Sequence, residues 1–300
     1  MAISINTSFS VSLREALGEE KLTPMIAAAG FDAIELSLDQ LSQPGNIWDR
    51  IGHREYALQL KATAETCGIH FNQAHAPARF DWMTPDTNDL NIIVYPYTEK
   101  AFEICRILEI PCMVIEPLTH PMALGLPSRR IPWNVTYFKH LSQMGETYGV
   151  KVAIKNLVRT FETAEELNAL MDAVGSENLS ACVDTGHCNL SAEKAPDMIR
   201  GLGCRLCALH LNGNHGDFNQ HVIPGVDQLD WQPILEALAD TDYTGDFTLQ
   251  VSEHETGALD GKHGFRADFL PCVLEFASAS CKHLAERAQI LKAQRAAQSE

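Results

Sequence analysis

Short apolar runs alternate with longer amphipathic segments from one end of this 300-residue chain to the other. The apolar runs have the length of buried strands, and the longer segments repeat their apolar residues at helical spacing. Regular alternation of strand and helix indicates a parallel sheet, and eight such units fit a closed (β/α)8 TIM barrel of the α/β class. The predicted strands are Ile3–Thr7, Ala33–Leu36, His70–Gln73, Met113–Glu116, Lys151–Lys155, Ser180–Asp184, Leu206–Leu211 and Phe247–Val251.

The segments between these strands predict the helices, and no linker or change of composition divides the chain. We therefore expect one TIM-barrel domain over residues 1–300. An open doubly wound sheet is the alternative, but no glycine-rich phosphate loop follows the first strand. Five glycines stand where C-terminal helix caps are expected, namely Gly30, Gly68, Gly149, Gly175 and Gly245. The predicted helices are Lys21–Ala29, Glu55–Cys67, Thr98–Leu108, Asn134–Tyr148, Ala164–Val174, Gln232–Ala239 and a last one within 268–297.

The chain carries a formal net charge of −16, which disfavours nucleic acid and anionic membranes as partners. It contains no run of about 18 apolar residues and does not begin with a signal-peptide pattern, so we expect no membrane span and a cytoplasmic location. Nine cysteines without a regular framework are consistent with a reducing compartment. The Cys204-Arg205-Leu206-Cys207 spacing is interpreted as buried thiols that pack like small apolar side chains.

Polar or ionisable side chains stand at the carboxyl ends of six consecutive predicted strands. Active sites of barrels collect at this end of the strands, so these side chains are expected to converge. A single polar residue at a strand end is ordinary, but six together predict a functional site. In chain order they are His75, Glu116, Lys155 with Asn156, Asp184 with His187, His210 and Gln250.

Several motifs resemble those of the xylose isomerase-like TIM barrels, a family of sugar (phosphate) isomerases and epimerases to which the endonuclease IV type of DNA-repair enzyme is distantly related. The resemblance covers nearly the whole chain, and its most specific part runs from Asp184 to Trp231. The motifs are Gly30-Phe31-Asp32-Ala33-Ile34-Glu35-Leu36, Ala74-His75-Ala76-Pro77, Asp184-Thr185-Gly186-His187, Leu209-His210-Leu211-Asn212, His221-Val222-Ile223-Pro224-Gly225, Leu229-Asp230-Trp231 and Tyr243-Thr244-Gly245-Asp246-Phe247.

The resemblance implies a divalent metal held by a Glu on strand five, an Asp on strand six, a His on strand seven and a Glu on strand eight. The two Glu residues would also move a proton next to a sugar carbonyl. Asp184 and His210 match the Asp and the His, and they are the predicted ligands if Mn²⁺, Mg²⁺, Co²⁺ or Zn²⁺ binds. Lys155 and Gln250 replace the two Glu residues, so no cofactor is certain. The Asp-x-His pattern after strand seven is replaced by Asn219-Gln220-His221.

The lysine changes the expected chemistry because an ammonium group has no acceptor capacity and repels a nearby dication strongly in a low-dielectric site. We expect the Lys155 ammonium to take the role of the metal, paired with Asp184 and with an oxygen of a small carbohydrate. The predicted catalytic residues are Lys155, His187, His210, Gln250 and Glu116. The predicted substrate-binding residues are His75, Asn156, His221 and Trp82.

Several functions remain open at this point. The first is a metal-free isomerase or epimerase, with Lys155 as a base of lowered pKa among the candidates for proton transfer. The second is a lyase in which Lys155 forms a Schiff base with a sugar carbonyl. The third is a non-catalytic sugar-binding relative or partner subunit. A relocated metal on Glu116, Asp184, His187 and His210 is a further arrangement, to which Glu253 and His254 could add.

DNA repair fits poorly, because Glu116, Lys155, Asn219 and Gln250 interrupt the many His and carboxylate ligands of that relative's three zinc ions. The net charge of −16 points the same way. The expected partner is therefore a small carbohydrate, and the family resemblance also allows a homodimer.

Overall fold

The computed structural model describes residues 1–9, 17–77, 90–119, 127–241, 243–252 and 268–298. Its strands are β1 (Ile3–Asn6), β2 (Ala33–Ser37), β3 (His70–His75), β4 (Cys112–Ile115), β5 (Lys151–Lys155), β6 (Leu179–Asp184), β7 (Leu206–His210) and β8 (Phe247–Leu249). They form one sheet in the order β7-β6-β5-β4-β3-β2-β1-β8, and the paired strands are parallel. A parallel bridge between Leu211 and Leu249 joins the two ends of this order. The prediction of a (β/α)8 TIM barrel is confirmed.

Helices connect the strands and cover the outside of the sheet. Three of them, with five to eight residues each, were not predicted, because so short a segment barely displays the helical period. The helices of the described residues are α1 (Glu19–Ala28), α2 (Ile47–Ile51), α3 (His53–Cys67), α4 (Tyr95–Ile107), α5 (Pro127–Tyr148), α6 (Ala164–Val174), α7 (Thr185–Leu190), α8 (Ala195–Leu202), α9 (Trp231–Asp240) and α10 (Leu270–Gln298). Among the described residues, no helix is long and apolar enough to cross a membrane.

Four of the five predicted glycine caps have the left-handed backbone that ends a helix. Gly68 and Gly175, for example, cap α3 and α6 with φ of 67° and 68°. The prediction for Gly245 was wrong, because α9 ends at Asp240 and its C-cap residue is Thr241. Gly245 instead lies against the ring of Tyr243, where a Cβ would overlap the ring atoms. The Tyr243 hydroxyl donates to the carbonyl of Asp246 at 2.8 Å, and a carboxylate oxygen of Asp246 accepts from the Ala2 amide at 3.1 Å. The motif thus fastens the start of β8 to the start of the chain.

The interior of the barrel changes from apolar to polar toward the carboxyl ends of the strands. Four small buried side chains on β4 to β7 form an apolar cluster, namely Val114, Ala153, Cys182 and Ala208. Side chains two residues apart on a strand share a face, so the next inward positions belong to the following layer. Those positions are Glu116, Lys155, Asp184 and His210. The alternation of side chains along the strands therefore places the predicted polar residues next to a buried apolar layer.

Candidate active site

Lys155 is the central cation of this polar layer. Its side chain is 2% exposed, and its Nζ lies 2.8 Å from Glu116 Oε1 and 3.9 Å from Asp184 Oδ2. A third neighbour, His75 Nε2, lies 3.4 Å from Nζ. Burial alone would lower the pKa of Lys155, but the two carboxylates raise it above its ordinary value. Lys155 is therefore charged at neutral pH, and the prediction of a lysine base with a lowered pKa was wrong.

Glu116 directly follows β4 and is the more accessible carboxylate beside Lys155. Its side chain is 33% exposed, whereas that of Asp184 is fully buried. Burial opposes ionisation of Glu116, but the Lys155 ammonium and the neighbouring His75 hold its pKa well below the usual range. Glu116 is thus a carboxylate at neutral pH that solvent can reach.

The two carboxylate oxygens of Asp184 have different surroundings. Its Oδ1 accepts from the His187 amide at 3.0 Å and from Asn212 Nδ2 at 2.9 Å. Its Oδ2 has no hydrogen-bond partner among the described residues and faces the Lys155 ammonium. Burial would raise the pKa of Asp184, but His187 and Lys155 lower it far below its ordinary value. Gly186 is required beside it, because a Cβ there would overlap the amide of Asn212.

Two histidines face each other across the side chain of Asn219. The Asn219 amide nitrogen donates to His187 Nε2 at 2.9 Å and to His221 Nε2 at 2.7 Å. His187 Nδ1 donates to the Asn156 carbonyl at 2.8 Å, which turns the Nε2 lone pair toward Asn219. Burial, with the nearby positive charges, lowers the pKa of His221 to about 4, so its imidazole is neutral at pH 7. His221 holds a left-handed backbone with φ of 56°, a conformation that histidine and asparagine adopt more readily than most residues.

His210 is bound to a carboxylate inside the barrel. Its Nε2 lies 2.7 Å from Glu35 Oε1, and both side chains are fully buried. Glu35 also accepts from Asn6 Nδ2 at 2.7 Å and from Gln73 Nε2 at 3.1 Å. Burial lowers the pKa of His210, so a neutral imidazole donates its Nε2 proton to the Glu35 carboxylate. This fixes the tautomer and leaves Nδ1, which has no partner among the described residues, as an acceptor.

The remaining predicted site residues differ in how far the structure brings them into this layer. His75 and Gln250 are buried at the ends of β3 and β8, and Gln250 Oε1 has no partner within the described part of the chain. The His75 ring stacks on His210 with 5.7 Å between centroids. Trp82, Glu253 and His254 lie outside the described residues.

Asn156 has a role different from the predicted one. It is fully buried, its Oδ1 accepts from the Asp184 amide at 2.7 Å, and its Nδ2 donates to the Asp184 carbonyl at 3.2 Å. Because both ends of its amide are engaged by the backbone of Asp184, Asn156 positions this aspartate and has no free group for a substrate.

Two sets of side chains compete as possible metal ligands. The set implied by the family resemblance does not fit a divalent ion, because the ammonium of Lys155 stands in place of one carboxylate ligand and lies 3.9 Å from Asp184 Oδ2. A second set does fit, since ligand atoms of Asp184, His187 and His221 all lie within 4.8 Å of one another. One carboxylate and two imidazoles suit Zn²⁺ and other first-row divalent ions.

Sequence reasoning missed the roles of Glu35 and Asn212. Glu35 is a charge within the otherwise uncharged β2, on the same face as Ala33 and Ser37. Asn212 follows His210 by two positions, so it continues the face of β7 that carries the histidine. In both cases the period of the strand was a signal that could have identified an inward polar residue.

Comparisons with known proteins agree with this architecture. The family model described as xylose isomerase-like TIM barrel matches residues 25–268. A D-psicose 3-epimerase of Enterocloster bolteae is 23% identical over 276 residues, which cover 85% of this chain and 84% of that protein. An inosose isomerase of Halalkalibacterium halodurans is 25% identical over 254 residues, covering 79% and 84%. The crystal structure of D-psicose 3-epimerase with D-tagatose from Clostridium cellulolyticum has a TM-score of 0.75 at 18% identity, with 95% and 99% covered; this last likeness concerns the fold.

Replacing Glu35 by Gln tests the buried acceptor beneath His210. In Glu35→Gln an NH2 group replaces one oxygen, so Asn6 Nδ2, Gln73 Nε2 and His210 Nε2 cannot all be accepted. We expect the free energy of unfolding to fall by about 1–3 kcal/mol, measured by denaturant unfolding. The matched control is Asn6→Asp combined with Glu35→Gln, which reverses the donor and acceptor of that pair and should recover most of the loss. Equal stability of Glu35→Gln and the unaltered protein would contradict this account.

The low pKa of His221 predicts a pH dependence of stability. The unfolded imidazole titrates near pH 6.5, so between pH 6.5 and about 4 the unfolded chain binds more protons and stability falls as the pH falls. His221→Asn keeps a residue that tolerates the left-handed backbone and should flatten this part of the stability profile. The check is thermal unfolding at a series of pH values, together with an NMR titration of His221. A His221 midpoint near 6.5 would refute the prediction.

Proposed function

This chain belongs to the xylose isomerase-like TIM barrel family, and from that premise we propose that it is an isomerase or epimerase of a small carbohydrate. Among its relatives are a D-psicose 3-epimerase and an inosose isomerase. The observation that carries the proposal is the charged Lys155 held between Glu116 and Asp184 at the carboxyl ends of the strands. That is where a sugar carbonyl would meet a fixed cation.

The Lys155 ammonium supplies the electrostatic part of the reaction. Removing a proton from the carbon next to a carbonyl places negative charge on the carbonyl oxygen, and a preorganised cation in a site of low dielectric stabilises that charge. Lys155 has three N–H groups; Glu116 Oε1 accepts one of them at 2.8 Å, and a second faces Asp184 Oδ2, which lies 3.9 Å from Nζ. The third is then available to a substrate oxygen. Asp184 holds the ammonium in place without itself being exposed.

Glu116 is the base in this proposal. It is charged, it contacts Lys155, and it is the solvent-accessible carboxylate of the polar layer within the described part of the chain. One base on one face can carry a proton between adjacent carbons, as aldose–ketose isomerisation requires. Epimerisation needs a second proton-transfer group on the opposite face, and the Gln250 amide at the corresponding family position cannot supply one. The geometry therefore favours the isomerase over the epimerase.

The Schiff-base lyase is disfavoured by the same ion pairs. Attack on a carbonyl needs a neutral amine, whereas Glu116 and Asp184 raise the pKa of Lys155 and keep it protonated. The non-catalytic sugar-binding protein remains a distinct outcome of the test that follows.

Solvent exchange tests the proposed proton transfer without knowledge of the natural sugar. The protein is incubated in D2O with D-psicose, D-tagatose, D-fructose and inosose, and deuterium next to the carbonyl is measured by NMR. We expect exchange with at least one sugar, and a loss of roughly 10²-fold or more in Lys155→Met or Glu116→Gln. Lys155→Arg, which retains the charge, should lose less.

Exchange that persists in Lys155→Met would refute the role of the ammonium. Sugar binding without any exchange would instead identify the non-catalytic relative. Since removal of Lys155 leaves two unpaired carboxylates and costs about 3–5 kcal/mol, each variant is first checked for cooperative unfolding.

Metal binding at Asp184, His187 and His221 is the second arrangement that an observation favours, because their ligand atoms converge. An ion there would act as a Lewis acid on a substrate oxygen. To make room for it, the Asn219 amide, which now donates to both imidazoles, would have to turn away.

Elemental analysis after incubation with Mn²⁺, Mg²⁺, Co²⁺ and Zn²⁺ and desalting separates the two arrangements. With Lys155 as the cation, we expect far less than one ion per chain in the unaltered protein. The double substitution Lys155→Glu with Gln250→Glu, which restores the family's carboxylates, should gain about one. Nearly one ion in the unaltered protein, lost in His221→Asn, would establish the second arrangement and contradict a metal-free site.

A further inference from the structure

Two cysteines meet at the end of the barrel opposite the candidate active site. Cys112 is the first residue of β4 and Cys207 the second of β7, and their Sγ atoms lie 3.9 Å apart. Both are partly exposed, whereas Cys182 in the layer between them and the active site is buried. Cys204 and Cys207 have CxxC spacing in the sequence, and both were predicted to be buried. Cys204 is exposed, so this prediction was wrong for Cys204.

The surroundings of Cys207 favour its thiolate. The hydrogen bond between the Cys112 and Cys207 thiols, together with Lys151 and Ser180, lowers the pKa of Cys207 against the effect of burial. The pKa of Cys112, in contrast, is raised well above its usual range by the same hydrogen bond and by burial. A partly exposed cysteine whose thiol pKa is lowered by a lysine, with a second thiol in contact, is the arrangement of oxidation-sensitive cysteine pairs.

We propose that Cys112 and Cys207 form an oxidisable dithiol, in which Cys207 reacts with a hydroperoxide and Cys112 then closes a disulfide. In the first step the Cys207 thiolate attacks one peroxide oxygen and the O–O bond breaks. This step gives a sulfenic acid on Cys207, and the other oxygen leaves as an alkoxide or hydroxide that takes a proton from solvent to become an alcohol or water. In the second step the Cys112 sulfur attacks the sulfenic sulfur and water leaves. The peroxide is reduced by two electrons, and the two thiols are oxidised by two.

Disulfide formation requires the two sulfurs to approach from 3.9 Å to about 2.05 Å. The two strands are not neighbours, because β5 and β6 lie between them in the sheet. The bond would therefore link β4 covalently to β7 at the end of the barrel opposite the candidate active site. Lys151 and Lys155 stand four residues apart on β5, or roughly 13 Å along the strand, so the dithiol is separate from the active site and does not depend on the proposed activity.

Mass spectrometry of the full-length protein treated with a slight excess of hydrogen peroxide tests the proposal. We expect the loss of two hydrogens per chain and a peptide pair linked through Cys112 and Cys207, both reversed by a dithiol reductant. Cys204→Ser and Cys272→Ser, which alter exposed cysteines, should leave this product unchanged. In Cys112→Ser the sulfenic acid has no second thiol to react with, so a dimedone adduct should appear on Cys207. Lys151→Met should slow the first step several-fold, whereas Lys151→Arg should not.

Three results would overturn the proposal. One is a link between Cys204 and Cys207 instead of Cys112 and Cys207. Another is oxidation of Cys204 or Cys272 before any change at Cys207. The last is accumulation of singly oxidised Cys207 in the unaltered protein without a disulfide, which would show that the two sulfurs cannot close.

Discussion

The charge of a buried ammonium group must be compensated by carboxylates, and the polar layer of this barrel is arranged around that requirement. Lys155 at 2% exposure would be too costly alone, so Glu116 from the end of β4 and Asp184 from the end of β6 stand on either side of it. Parallel strands bring these three residues together, because the ends of β4, β5 and β6 are adjacent in the sheet. The charge of one side chain therefore determines the residues that its neighbours can carry.

The protonation states of His210 and His221 depend on burial and on the same cation. A positive charge nearby, together with burial, lowers the pKa values of His210 and His221, so both rings are neutral and need one donor and one acceptor contact. His210 donates to Glu35, and His221 accepts from Asn219. The site therefore combines the ammonium of Lys155 with the neutral imidazoles of His210 and His221, whose tautomers are set by their hydrogen bonds with Glu35 and Asn219.

The sequence predicted those parts of the structure that depend on periodicity. All eight strands were placed to within two residues, since apolar runs between amphipathic segments have few other solutions. Because the strand ends were predicted in this way, the sequence also placed Lys155, Glu116 and Asp184 at the carboxyl ends of strands. Pairings between distant segments were not predictable: neither the contact of Cys112 with Cys207 nor that of His210 with Glu35 has a signature in local spacing. Asn156 illustrates a third limit, because position at a strand end does not reveal whether an amide faces a substrate or a backbone.

Lys155 and Gln250 stand where the family resemblance implies metal-binding carboxylates, and the two residues can be explained together once Glu116 is counted with the site. In the arrangement that the family implies, three carboxylates around a divalent ion leave one net negative charge. At the same positions here, Asp184 and the Lys155 ammonium sum to zero and the neutral Gln250 adds nothing, while Glu116 beside Lys155 adds one negative charge. Retaining a Glu at position 250 beside Lys155 would have made the site more negative, and retaining a Glu at 155 without a metal would have left every carboxylate unpaired. In the proposed metal-free site, the lysine and the glutamine are therefore compatible changes, and the accessible Glu116 is the proposed base beside the cation.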